Sequence, residues 1–231
     1  CRLFAETNQK TLDAASLVEL LHTATLVHDD VVDDANERRG YFSVNALWKN
    51  KIAVLVGDYM LSKILLLSLE TENTDLLAVI ARAVREMSEG ELLQIEKARK
   101  LDITEEIYFE VIRKKTASLI ATCCEAGCLA AGAVEHRETM RLFGEYVGMA
   151  FQIKDDILDL YGDPEKFGKQ IGGDVIANKK TLLYLYAKSQ GDQNQLEAFQ
   201  QLEKETDLAK KVKHVRQLFD ELGVLEYAKS T

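Results

Sequence analysis

Residues 20–40 read LLHTATLVHDDVVDDANERRG, an apolar helical run that ends in four aspartates and is followed by two arginines. The acidic half recurs in residues 151–163, FQIKDDILDLYGD. On a helix, positions i and i+4 share a face and i+1 lies about 100° round. Asp29 and Asp33 therefore point one way with Asp30 at their flank, and Asp155, Asp159 and Asp156 repeat the arrangement. Carboxylates this close repel, and both clusters come late in their helices, near the negative end of the helix dipole, where cations are favoured. Neither cluster reads as a cap. A single cluster of this kind reads as a solvated acidic helix end. Two clusters, each flanked by Leu, Ile, Val and Phe, call for a compensating cation. Mg²⁺ takes oxygen ligands and is held by one or two carboxylates plus phosphate oxygens. The candidate metal ligands are thus Asp29, Asp30, Asp33, Asp155, Asp156 and Asp159.

Arg38 and Arg39 follow the first cluster. Their planar forks suit phosphate, although the same residues also serve to neutralise Asp33, Asp34 and Glu37. Carboxylates for Mg²⁺ beside arginines for phosphate fit a diphosphate-bearing ligand.

The 231 residues fit one domain with a substantial core, and one proline with 47% hydrophobic residues suits a helical bundle. A net charge of −9 argues against nucleic acid or an anionic membrane as a general partner. Cys1, Cys123, Cys124 and Cys128 lack zinc-ligand spacing, and the last two read as small packing residues in a reducing cytoplasm. The apolar run 52–69 is interrupted by Asp58 and Lys63 and reads as a core helix rather than a membrane span.

Apolar periodicity predicts helices over 11–34, with Thr11 as N-cap, and over 43–69, 76–100, 104–131, 136–162, 178–189, 195–205 and 208–227, the last broken near Gly223. No stretch reads as a strand. The connection 163–174 holds Pro164, Gly168, Gly172, Gly173, Lys166 and Lys169; it is either an ordinary link or a basic loop that closes over a phosphorylated substrate. His28 abuts Asp29 and reads equally as a partner for that carboxylate or as a satisfied interior histidine.

With these pieces in place the chain resembles the trans-type isoprenyl diphosphate synthases, or polyprenyl synthetases, and among them the medium- to long-chain, octaprenyl-type enzymes. HDDVVDDANERRG and FQIKDDILDLYGD match the family's two aspartate-rich motifs; VGDYML at 56–61, EGELLQ at 89–94, KKTASL at 114–119 and GKQIGGDVIANKKT at 168–181 follow the family's order. The resemblance implies an all-α antiparallel helical bundle around a central cavity, the isoprenoid synthase type of fold. It implies a single domain over 1–231 without the family's upstream Gly-Gly-Lys-x-x-Arg-Pro segment.

It further implies Mg²⁺-dependent condensation of an allylic diphosphate with isopentenyl diphosphate. Asp29, Asp30, Asp33, Arg38, Lys115, Asp155, Asp156 and Lys169 would be catalytic. Arg38, Arg39, Lys115, Thr116, Gln152, Lys169 and Lys179 would bind substrate, with Asp174 near the metal. Ala24 and Thr25, small where short-chain members carry aromatics, and Met60 and Leu61 on the facing helix would set product length. That pattern favours a medium- or long-chain all-trans product over a geranyl, farnesyl or geranylgeranyl one. The partners expected are a second copy, through residues 76–100 and 115–131, and a membrane surface met transiently at product release. A terpene cyclase is disfavoured by the second Asp-Asp-x-x-Asp, a non-catalytic subunit by the intactness of both motifs, and a generic cation binder by the conjunction of Arg38, Arg39, Lys115 and Lys169.

Overall fold

The computed structural model describes every residue except Arg39, Glu72, Leu101 and 164–170. Helices dominate: α1 (Gln9–Val32), α2 (Val44–Glu70), α3 (Thr74–Lys100), α4 (Glu105–Ile112), α5 (Ser118–Ala131), α6 (Arg137–Tyr161), α7 (Gly173–Ile176), α8 (Leu182–Gln190), α9 (Gln193–Glu203), α10 (Leu208–Glu221) and α11 (Val224–Ser230). The chain divides into two compact units, Cys1–Ser88 with Ala117–Tyr146, and Glu89–Thr116 with Val147–Thr231.

In the first unit, α1 buries the strip Ala14, Leu17, Leu21, Ala24 and Val27, whose spacing of three and four keeps one face inward. This face meets Ile64, Leu76, Ile80, Ala83, Ala126 and Ala130. The helix starts earlier than its apolar pattern suggests. Asn8 is the N-cap, and Thr11 is the reciprocal partner three residues on in a capping box.

Residues 35–40 read as a loop from sequence, but a two-stranded antiparallel hairpin pairs Glu37–Arg38 with Tyr41–Phe42, strands too short to show alternation in sequence. The helix after it, α2, is not continuous: Lys49 takes φ 73° and ψ 160°. Nor is it a core helix. Ala53, Gly57, Ile64 and Ser68 form its buried strip, while Trp48, Ile52, Leu55, Tyr59, Leu66 and Leu69 are exposed. By length and composition alone α2 could cross a membrane.

The small residues of α5 suit close helix approach either at a subunit contact or within the chain; Ala121, Ala126, Cys128 and Ala130 are buried inside the unit. Beside them Glu125, 1% exposed, is clamped by Arg82 of α3 and by Arg137 of α6, whose Nε donates to Oε1 at 2.5 Å.

The second unit packs Tyr108 and Ile112 of α4 and Ile153 and Leu160 of α6 against Leu182, Phe199, Val215, Phe219 and Val224. The helix anticipated over 104–131 is interrupted by a π-turn at Arg113–Ala117. Periodicity does not announce such a turn, because it adds a residue without ending the helix. The break near Gly223 is present, with that glycine at φ 66°.

Candidate active site

The first aspartate cluster closes α1. Asp33 is the C-cap and donates its N–H to Asp29 O at 2.8 Å. Asp34 follows at φ 49°, and Ala35 N–H reaches back to Asp30 O at 2.9 Å, a Schellman-type ending with aspartate where glycine is usual. Asn45 of α2 secures this turn by donating to the carbonyls of Asp30 and Ala35, both at 3.1 Å, and Ser43 Oγ donates to Ala35 O at 2.6 Å.

The three carboxylates have different environments. Asp30 is 4% exposed, and its Oδ1 accepts Arg38 Nε at 2.7 Å and lies 2.6 Å from Nη2. Asp29 is half-buried and Asp33 exposed. Arg38 therefore neutralises an aspartate, though it is Asp30 rather than the exposed acids around it. His28 turns its Nε2 to α2, 3.2 Å from Val54 O and 3.5 Å from Asp58 Oδ1, which makes it a helix–helix contact.

The second cluster lies in the second unit and repeats this division. Asp156, the middle residue, is 6% exposed. Tyr108 OH donates to its Oδ2 at 2.7 Å and Gln152 Nε2 to its Oδ1 at 3.0 Å; Thr116 Oγ1 in turn donates to Gln152 Oε1 at 2.9 Å. Burial pushes the Asp156 carboxyl up to about 6 against the pull of the Gln152 and Tyr108 bonds, with Asp174 and Asp155 adding to the push. The Tyr108 phenol is driven far up by burial and by facing Asp156.

Asp155 is exposed, and Asp159 is half-buried. Asp159 accepts the Asp174 N–H on Oδ2 at 2.9 Å, and burial raises its carboxyl above the ordinary range despite that bond. Gly172, at φ 77°, brings its N–H to Asp159 O at 2.6 Å; a Cβ there would strike Val212 Cγ2 at 2.5 Å. Lys179 Nζ lies 3.0 Å from Asp174 Oδ1.

Lys115 and Thr116 both belong to the π-turn. The extra residue lets Thr116 reach Gln152 while the Lys115 ammonium pairs with Glu91. The turn sits directly on Gly90 of α3, where an added Cβ would come within 2.7 Å of Lys115 N. Tyr108, Glu91, Gly90 and Asn45 were not singled out from sequence. Gly90 and Glu91 lie inside the quoted EGELLQ run, and Tyr108 sits four residues from Ile112 on the apolar face of α4.

Arg39 and Lys169 lie outside the described residues, as does most of the 163–174 connection. Of the chain-length candidates, Ala24 is fully buried in the α1 strip, Thr25 is half-buried with its Oγ1 donating to His22 O at 2.9 Å, and Met60 and Leu61 are half-buried.

The donor set can be tested against Mg²⁺. Among the described residues no group of three or more His, Cys, Asp or Glu side chains is placed to hold a metal ion. What each motif offers instead is hard carboxylate oxygen at a helix surface, Asp29 with Asp33 and Asp155 with Asp159, while the middle aspartate is held inward. Mg²⁺ demands few protein ligands and completes its shell with water and phosphate, so these residues fit it as an open site.

The family model for polyprenyl synthetases matches residues 1–222. The chain belongs to the polyprenyl synthetase family. It is 43% identical over 194 residues to an all-trans-nonaprenyl-diphosphate synthase (geranyl-diphosphate specific) of Rhodobacter capsulatus, covering 83% of this chain and 60% of that one. It is 40% identical over 182 residues to the octaprenyl diphosphate synthase of Escherichia coli, covering 78% and 56%. The chain thus spans roughly three fifths of the length of these curated relatives. Among solved structures it resembles a Caulobacter crescentus polyprenyl synthase complexed with calcium and isoprenyl diphosphate, with TM-score 0.87 and 35% identity over 98% of this chain and 70% of that one. The all-α isoprenoid synthase fold is therefore that of this polyprenyl synthetase.

Proposed function

We propose that this polyprenyl synthetase joins an allylic diphosphate head-to-tail to isopentenyl diphosphate and repeats the step to make a medium- or long-chain all-trans polyprenyl diphosphate. The observation that carries this reading is the repeated sorting of the Asp-Asp-x-x-Asp motifs into one buried middle aspartate and two flanking carboxylates nearer the surface. It is supported by relatives named as octaprenyl and nonaprenyl synthases.

Mg²⁺, held by Asp29, Asp33, Asp155 and Asp159, would supply Lewis acidity toward the departing diphosphate. Asp30 and Asp156, tied to Arg38 and to Tyr108 and Gln152, fix the helix ends that present those donors. Lys115 would exchange Glu91 for a phosphate oxygen, adding positive charge where negative charge develops on the leaving group. Lys169 and Lys179 would add charge at the second motif and Arg38 at the first, and Arg39 would hold isopentenyl diphosphate. Thr116 and Gln152 keep the second motif in register. Apolar walls around Thr25, Met60 and Leu61 would shield the allylic cation from water and receive the growing chain. The carbon–carbon bond forms as the isopentenyl double bond attacks that cation, and the released diphosphate accepts the proton that is lost.

We also propose a cytoplasmic homodimer that touches a membrane surface transiently at product release. Residues 76–100 and 115–131 remain the expected subunit contact, and the exposed apolar side chains of α2 offer further surface for a partner or a membrane. The deciding experiment is chromatography of products from isopentenyl diphosphate and a labelled allylic primer, with and without Mg²⁺. Chains of about seven to nine units are expected on the precedent of the relatives. No Mg²⁺-dependent condensation would refute the activity, and arrest at fifteen carbons would refute the product class. Sedimentation as a monomer at micromolar concentration would refute the dimer.

A further inference from the structure

The segment that follows the second motif is fastened from the interior of the second unit. At its start, Asp174 N–H is bound by Asp159 Oδ2. At its end, α7 closes as a Schellman turn: Asn178 N–H donates to Val175 O at 3.2 Å and Lys179 N–H to Asp174 O at 2.9 Å. Asn178 occupies the position where glycine is usual, at φ 53°. Asparagine tolerates the left-handed region better than most residues but still prefers others.

Asn178 is exposed, but its side-chain oxygen is engaged from the interior. Lys211 Nζ of α10 donates to its Oδ1 at 2.7 Å and lies 3.5 Å from Glu203 O. Lys211 is 3% exposed, and among the described residues its ammonium faces the neutral oxygens of Asn178 and Glu203 rather than a carboxylate. Its position on α10 is shared with the buried Val215 and Leu218, four and seven residues on. An ammonium set against neutral oxygens in such a place is expensive, and a leucine or methionine would serve packing better. A cavity of about 40 Å³ beside it is lined by Asp156, Asp159, Asp174, Lys179 and Lys211. Lys211 is thus buried directly behind the second aspartate motif without belonging to its outward face.

We propose that Lys211 is a positioning residue that, through Asn178, locks the left-handed turn ending α7 and so fixes Lys179 over Asp174 beside the outward carboxylates of the second motif. This rests on the function proposed above, since the benefit of a fixed Lys179 is a preformed cradle for magnesium diphosphate. Lys211 touches no substrate in this scheme. It converts a conformational preference at residue 178 into a fixed cation five residues from Asp174.

Four full-length proteins test this: Lys211→Met, Asn178→Gly, the two combined, and Asn178→Ala, a surface change that leaves Lys211 in place. The readouts are amide exchange at Lys179, calorimetric binding of inorganic pyrophosphate with Mg²⁺, and the melting temperature. Lys211→Met should melt no lower than wild type, yet its Lys179 amide should exchange faster and its pyrophosphate affinity should fall about 10–100-fold, the range typical of lost positioning contacts. Adding Asn178→Gly should restore both, because glycine needs no help to hold the turn. Asn178→Ala should reproduce the loss. Wild-type exchange at Lys179 in Lys211→Met, or no restoration by Asn178→Gly, would overturn the proposal and leave Lys211 a packing residue. If pyrophosphate fails to bind wild type, the proposed activity falls by itself, and exchange at Lys179 still decides for or against Lys211.

Discussion

Gly90→Ala tests how closely the chemistry depends on the π-turn. The Cβ would lie 2.7 Å from Lys115 N and 2.9 Å from Lys114 Cβ, against 3.4 Å for ordinary contact, so α3 and the turn must part by about 0.7 Å (3.4 less 2.7). The obstructing atom at 2.7 Å is backbone and cannot swing aside. Overpacking of this kind costs about 1–3 kcal/mol, while alanine returns about 1 kcal/mol of helix propensity over glycine. The net loss of about 0–2 kcal/mol lowers the melting temperature by about 8 °C at most. The effect on catalysis should be larger. Lys115 and Thr116 ride on the displaced turn, and Thr116 anchors Gln152 and through it Asp156. A misplacement near 1 Å costs about 100-fold in rate, so kcat for condensation should fall about 10–100-fold in protein that is fully helical by circular dichroism. A kcat within threefold of wild type, or an activity loss that merely follows the unfolded fraction, would refute the claim that the turn places Lys115 and Thr116.

Asp29→Ala and Asp155→Ala, which remove outward donors, should cut Mg²⁺-dependent turnover by about 10³-fold or more with unchanged melting; near-normal specific activity in the folded fraction would sink the metal assignment. Asp30→Ala should behave differently, lowering the free energy of unfolding in urea by about 2–4 kcal/mol because Arg38 loses its buried partner, and equal melting of Asp30→Ala and Asp29→Ala would contradict that. Glu125→Ala should cost about 3 kcal/mol, the low end for a broken buried pair since both arginines still reach water, and a loss below about 1 kcal/mol would show the clamp to be idle. Thr25→Tyr should shorten the products with little change in stability, whereas Ala24→Tyr should destabilise by overpacking a fully buried site; unchanged product length in Thr25→Tyr would remove α1 from the chain-length wall.

The order and approximate extent of the long helices were legible because apolar spacing of three and four is a strong signal over twenty residues, as in the Ala14–Leu17–Leu21–Ala24 strip; the split of 104–131 and the four-residue α7 were not. What escaped was anything decided within one turn: the Asn8 cap, the hairpin after α1, the left-handed Lys49 and the π-turn at Arg113–Ala117. α2 misled for a different reason. Its composition is that of a core helix, but composition cannot tell burial in one's own fold from burial against something else, and here most of the circumference faces outward. The interior charges were missed because lysine and glutamate are assumed to point to water. A face count would have found both: Lys211 falls in line with Val215 and Leu218, and Glu125 in line with Ala121 and Leu129.

The two aspartate motifs also show how a spacing rule can locate a site without distinguishing the environments of its members. Sequence geometry grouped three carboxylates per motif as equivalent ligands. In both units the middle one is drawn inside, Asp30 to Arg38 and Asp156 to Tyr108 and Gln152, although the partners come from unrelated elements. A carboxylate at i+1 on an amphipathic helix points about 100° from its neighbours at i and i+4, so when those two face solvent it must face the flank of the core. Burial there is costly unless charge or donors meet it, and each unit supplies them from its own packing. The middle aspartate pins the helix end and the turn behind it, which frees the other two to be presented together. The non-glycine left-handed residues that follow, Asp34 in one unit and Asn178 in the other, extend the same logic. Each turn is secured by a side chain from another helix, Asn45 or Lys211, rather than by the cheaper choice of glycine. A glycine would close either turn unaided; with aspartate or asparagine in the left-handed position, the turn depends on the side chain that reaches it from the neighbouring helix.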